Sequence, residues 1–188
     1  IDKSMDHLTF AGGAGTGILG GFTTKSSGIG DVKISSLIGL SESAHHKLHL
    51  NMGISLPTGS TTETDSILTP LGARPTVRLP YAMQLGSGTY DLLPGITYLG
   101  NNGNIKWGAQ ARGVIRLGKN HGYSLGDEAA LTAWTSYSPS PWISVSGRVE
   151  AKTAGKIDGQ DPLISGPVQT ADPDNYGGQT VTLFAGVN

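Results

Sequence analysis

The feature that most constrains this chain is a two-residue alternation that recurs in seven separate runs. From His46 to Leu56, one side carries Leu48, Leu50, Met52, Ile54 and Leu56, and the other carries Lys47, His49, Asn51, Gly53 and Ser55. Successive side chains of a strand point to opposite faces, so such a run predicts a β-strand with one apolar face. Asp31 to Leu40 alternates in the same way, with Val32, Ile34, Ser36, Ile38 and Leu40 opposite Asp31, Lys33, Ser35, Leu37 and Gly39. Five further runs cover Thr89 to Leu99, Asn104 to Leu117, Glu128 to Tyr137, Ile143 to Ala151 and Thr180 to Val187. A residual eighth strand is expected near Ile1 to Phe10. No stretch repeats with the 3.6-residue period of a helix, so the expected fold is all-β.

The two faces differ in chemistry. No Asp, Glu, Lys or Arg falls on the apolar sides. Besides Asp31, the opposite sides hold Lys33, Lys47, His49, Asp91, Lys106, Arg112, Arg116, Glu128, Arg148 and Glu150. Three residues break the pattern. Pro94 removes a ladder donor inside the third run and predicts a bulge or an early strand end. Trp134 and Phe184 fall on polar sides, where they either plug an interior or signal a different register.

The links between runs alternate strictly in length. Ser41 to His45, Gly100 to Gly103 and Ser138 to Pro141 are short, whereas Pro57 to Gly88, Gly118 to Asp127 and Lys152 to Gln179 are longer. One end of the sheet therefore gets tight turns and the other extended loops, the asymmetry of a transmembrane β-barrel. Strands of about ten residues with an uncharged face have the length that a tilted strand needs to cross a bilayer. Tyr90, Tyr98, Trp107, Tyr137 and Trp142 lie near strand ends, as an interfacial aromatic girdle requires. The expected fold is thus an antiparallel up-and-down transmembrane β-barrel, or a piece of a larger one, with seven or eight strands in residues 1–188. The ten polar-side residues from Lys33 to Glu150 named above become candidate lumen-lining groups.

Composition narrows the function. The 188 residues include 29 glycines and no cysteine, so thiolate metal sites and cysteine nucleophiles are excluded. A net charge of -1 argues against nucleic-acid binding. Mean hydropathy is -0.12, as a polar-in, apolar-out barrel allows. The chain opens without a signal-peptide pattern. His7, His45, His46, His49 and His121 are scattered and match no hydrolase or metalloprotease motif, and an enzyme is the least favoured class. Asp158, Asp161, Asp172 and Asp174 bring four carboxylates to one loop, a chemically reasonable set for calcium. Asp-Gly and Asp-Pro are also ordinary turn signals, and turn chemistry is the preferred reading. The glycine-rich Gly12 to Gly17 lacks the lysine and helix of a phosphate loop and reads as a flexible loop.

Several segments resemble a family of bacterial outer-membrane proteins described as transporters or as MetA-pathway of phenol degradation proteins. They are Leu56-Pro57-Thr58-Gly59-Ser60, the block from Leu79 to Gly95, Gly155 to Gly159, Asp172 to Asn175, Gly30 to Lys33 and Gly186-Val187-Asn188. The resemblance implies an outer-membrane barrel with a transport role linked to aromatic-compound degradation, and it carries no catalytic residues. Measured against that family, the chain lacks the N-terminal strands and the final strand with its terminal aromatic. The leading expectation is a channel in the bacterial outer membrane for small aromatic or anionic solutes, with lipid and lipopolysaccharide as its surroundings. The alternatives are a plugged barrel whose long loops bind a partner or cation, and an extracellular β-sheet assembly.

Overall fold

A computed structural model describes residues 1–12, 17–166 and 168–188. Most of the Gly12 to Gly17 segment, residues 13–16, lies outside the described residues. In chain order the strands are β1 (Asp2–Phe10), β2 (Ile18–Ser27), β3 (Val32–Glu42), β4 (His46–Leu56), β5 (Thr64–Ser66), β6 (Thr76–Arg78), β7 (Tyr90–Leu92), β8 (Gly95–Asn102), β9 (Ile105–Leu117), β10 (Tyr123–Ser124), β11 (Glu128–Ser140), β12 (Ile143–Ala154), β13 (Asp158–Gly159) and β14 (Gly178–Val187). Three 3₁₀ turns are the only helical elements among the described residues, so the all-β expectation holds.

Seven long traverses form one antiparallel sheet in the lateral order β3, β4, β7 with β8, β9, β11, β12, β14. Neighbours in the sheet are consecutive along the chain, which makes an up-and-down meander. β7 and β8 are one traverse interrupted at Leu93 and Pro94. The proline removes a donor without shifting register: Leu92 still faces Ile54, and Gly95 still faces Asn51. Leu93 keeps both hydrogen bonds to Gly53, and the Pro94 carbonyl still accepts from Gly113. Of the two expected outcomes, the strand end occurs and the bulge does not.

All tight turns lie at one end and all long links at the other. The sheet has β3 and β14 as its lateral edges, and no described strand pairs them. β1 and β2 form a separate hairpin. Its second strand, ILGGFTTKSS, was absent from the seven runs because glycines and hydroxyls dilute its alternation.

Packing runs opposite to that of a water-soluble sheet. The apolar side, which includes Ile34, Ile38, Met52, Ile96, Ile115, Val145, Val149 and Val181, is exposed. Leu131, on the interior strand β11, is 58% exposed. On the other side Ser55, Asp91, Thr97 and Thr132 are buried. The uncharged face is therefore uncovered, and the polar face is the better packed one.

The apolar core sits in the cap built by the long links. Tyr81, Tyr123, Ile157, Ile164 and Ala171 pack together, with Leu125 and Tyr176 against them. Tyr81 meets Tyr123 and Tyr176 edge-on, with ring centroids 4.7 and 5.6 Å apart. Short pairs stitch the links together: β5 with β6, and β10 with β13. Gly159 in β13 has φ +87°, and a Cβ there would meet the Gly122 carbonyl, so the close crossing of these two loops needs glycine. Arg78 and Asp161 form a buried ion pair at 2.8 Å between the first and last long links. Asp161 also accepts from the Leu163 amide, and its own amide donates to the Tyr81 hydroxyl.

The cap has a pH signature. Burial first, and then the Asp161 carboxylate, push the Tyr123 phenol up to about 12. The folded cap favours neutral Tyr123, so its contribution to stability is full below the ordinary phenol pKa near 10 and is lost as pH rises toward 12. Alkaline titration followed by tyrosinate absorbance and protease sensitivity should show the links Pro57 to Gly88 and Lys152 to Gln179 loosening in that window. Tyr123→Phe should move the loosening to higher pH.

Candidate lumen face and vestibule

The antiparallel registers bring the polar residues into rows across the sheet. One row contains Lys33, Ser55, Asp91 and Arg116; another contains His49, Thr97, Gln110, Thr132, Glu150 and Thr182. This collects on one face groups that lie far apart in sequence. At the capped end Asp91, 1% exposed, accepts from Thr89 Oγ1 at 2.7 Å and from Arg116 Nη1 at 2.5 Å. Arg116 Nη2 reaches Glu128 at 3.3 Å, and Lys152 Nζ reaches the other Glu128 oxygen at 2.6 Å. The result is a four-residue chain of alternating charge, Asp91–Arg116–Glu128–Lys152. Lower on the sheet Arg112 pairs with Glu150 at 3.2 Å, and Thr132 donates to the same carboxylate oxygen. Lys47 pairs with Glu42 at 2.6 Å.

Three cations of this face, Lys33, Lys106 and Arg148, form no ion pair among the described residues. Arg148 stands between two aromatic side chains in its row, opposite Trp134 on β11 and Phe184 on β14. Its guanidinium lies 3.8 Å from the Phe184 ring centre, a cation–π contact. The register is thus the expected one, and both aromatics lie on the polar face. Gly108 lies opposite Trp134, and a Cβ at that position would collide with the indole; the absent side chain makes room for the ring. His49 is half-buried beside Thr97. Thr97 Oγ1 accepts from both Gln110 and Asn51.

Two open cavities follow this face. One, of about 680 Å³, lies between the sheet and the cap, with Lys33, Ser55, Asp91, Arg116 and Glu128 below and Tyr81, Gln84 and Tyr176 above. The other, of about 760 Å³, runs over β9, β11, β12 and β14 and includes Arg112, Trp134, Arg148, Glu150 and Phe184. Asp31, at the root of β3, holds the cap over the first cavity: its carboxylate accepts from the Gly59 and Ser87 amides at 3.0 and 2.7 Å.

Sequence reading missed Lys152, which it placed in a loop. The signal was present, because continuing the alternation of Ser146, Arg148 and Glu150 by one step reaches it. The four loop aspartates have separate engagements. Asp161 pairs with Arg78, Asp158 with Lys119 at 2.8 Å and Asp174 with Lys156 at 3.0 Å. Asp172 caps a 3₁₀ turn by accepting from the Asp174 amide. Among the described residues no three His, Cys, Asp or Glu side chains form a metal-binding group.

On the apolar face near the tight turns, His46 stacks on Tyr98 and lies edge-on to Trp107, with Tyr98 Oη 2.6 Å from His46 Nδ1. Tyr137 and Trp142 are exposed at the same end. Neither protein-family models nor curated protein sequences give a match to this chain.

Proposed function

We propose that this chain forms the wall of an outer-membrane β-barrel that passes small solutes, with a preference for anionic ones. The observation that carries this reading is the inverted burial of the meander: a continuous uncharged face is open, while the buried residues of the sheet, Ser55, Asp91, Thr97 and Thr132 among them, lie on the charged face. In water such a sheet would present one large apolar patch, which soluble monomers avoid. In a bilayer the same face meets hydrocarbon, and the antiparallel ladder satisfies the backbone internally. The aromatic cluster at the tight-turn end suits the headgroup layer.

β3 and β14 are the first and last of seven alternating traverses, so they run in the same direction. Closing the wall antiparallel therefore takes an odd number of further strands between them. Among the described residues three buried polar atoms of the sheet, Asn51 Oδ1, Ser55 Oγ and Arg116 Nε, have no hydrogen-bond partner. All three lie on the polar face. The lumen reading is favoured over a dry plug by the two open cavities, of about 760 and 680 Å³, that follow this face.

Anion preference follows from Lys33, Lys106 and Arg148, whose charges are not cancelled by neighbours. The resemblance of the Leu79 to Gly95 block adds aromatic compounds to the solute class. Planar-bilayer recording with the protein tests the proposal. Open-channel current with chloride favoured over potassium is expected, and Arg148→Glu together with Lys106→Glu should reverse the sign of the reversal potential. An inserted protein that passes neither ions nor small solutes would remove the transport reading and leave the plugged barrel.

A further inference from the structure

We infer that the polar face of the sheet carries a binding subsite for a short-chain monocarboxylate, centred on Arg148. The inference rests on the lumen reading above, which brings solutes to this face, and it names one class among them. The open cavity of about 760 Å³ over β9, β11, β12 and β14 has three charged residues in its lining, Arg112, Arg148 and Glu150. Arg112 is paired with Glu150 at 3.2 Å, and Thr132 Oγ1 donates to the same carboxylate oxygen at 3.0 Å. Glu150 stands two residues from Arg148, on the same side of β12, yet its engagements lie elsewhere. The cavity therefore keeps one uncancelled positive charge, on an exposed side chain.

Arg148 is held in place without being satisfied. Its guanidinium carbon lies 3.8 Å from the centre of the Phe184 ring, and its side chain makes no ion pair or hydrogen bond among the described residues. A cation–π contact steadies the cation and uses none of its N–H groups, so the donors of the fork remain for an acceptor. Such a fork matches a carboxylate through two parallel hydrogen bonds, which a spherical halide cannot form. One uncancelled charge calls for a monoanion rather than a more highly charged group such as phosphate. Trp134 and Phe184, opposite Arg148 on the two neighbouring strands, line the same cavity. They offer apolar surface to the chain that bears the carboxylate, and acetate is too short to use it.

The test is the rate at which phenylglyoxal modifies each arginine of the purified chain in detergent, read by peptide mass spectrometry. Sodium butyrate is compared with sodium acetate, sodium phosphate and sodium chloride at equal ionic strength. Butyrate should slow modification of Arg148 about fivefold or more relative to chloride, with acetate and phosphate slowing it less. Arg74, exposed on the first long link and outside the cavity, should react at the same rate in every salt. Phe184→Ala, which removes the ring that holds the guanidinium, should reduce the protection by butyrate to less than about twofold. Equal rates at Arg148 in butyrate and chloride overturn the proposal, as does acetate or phosphate that protects as well as butyrate. Equal slowing of Arg74, or protection unchanged by Phe184→Ala, overturns it too. The measurement needs no current: a silent channel with Arg148 protected removes the transport reading and keeps the subsite, whereas a conducting channel without protection does the reverse.

Discussion

If the uncharged face meets lipid, as proposed, Leu131→Arg should impair insertion and destabilise the protein by about 2–4 kcal/mol, the cost of an arginine facing lipid near the bilayer midplane. The side chain is 58% exposed on β11, between Ala111, at the middle of β9, and Ala151 on β12. On a sheet that faced water, the same substitution at so exposed a site would stay within about 0.5 kcal/mol. The two environments thus differ in outcome by several-fold in energy at one residue. Urea unfolding from vesicles, read by tryptophan fluorescence, measures it. Thr182→Arg is the matched control, since Thr182 is exposed on the polar side opposite Glu150; a loss there below about 1 kcal/mol is expected for a solvated pair. Equal, small effects at both positions would sink the lipid-facing reading.

Arg116→Ala should cost about 3–5 kcal/mol, because it strips the cation from the buried Asp91–Arg116 pair. The Arg116 and Asp91 side chains are 11% and 2% exposed; without the guanidinium, among the described residues, Asp91 loses its ion-pair partner and Glu128 keeps Lys152. Replacing both partners, Asp91→Leu with Arg116→Met, should recover a large part of that loss, since no uncompensated charge then remains. Heat or urea unfolding of the two variants and the parent protein in detergent gives the comparison. If the double variant is as unstable as the single one, the pair acts through hydrogen bonding to Thr89 and the strand ends rather than through charge.

Much of this organisation could be read directly from residues. Seven of the long strands follow from alternation, because side-chain direction in a strand depends only on parity. The link lengths likewise place all tight turns at one end. His49, Lys47 and the charged groups from Lys33 to Glu150 were legible as one face for the same reason. Ile18–Ser27 was not legible: its inward Phe22, Thr24 and Ser26 pack on loops rather than on a uniform core, so no apolar period marks it. Lys152 is harder to assign, because the apolar alternation of its strand stops at Ala151 while the strand itself continues to Ala154.

Parity and link length, properties of single segments, were enough to determine an all-β meander with one charged and one uncharged side. The tertiary structure alone decided which cation meets which carboxylate, that Arg148 lies between Trp134 and Phe184, and that Arg78 and Asp161 join two distant links. It also decided that the apolar core forms in the cap rather than on the sheet. The physical reason is that these outcomes depend on strand register and loop packing. Both arise from contacts between segments remote in sequence, and no local pattern encodes them.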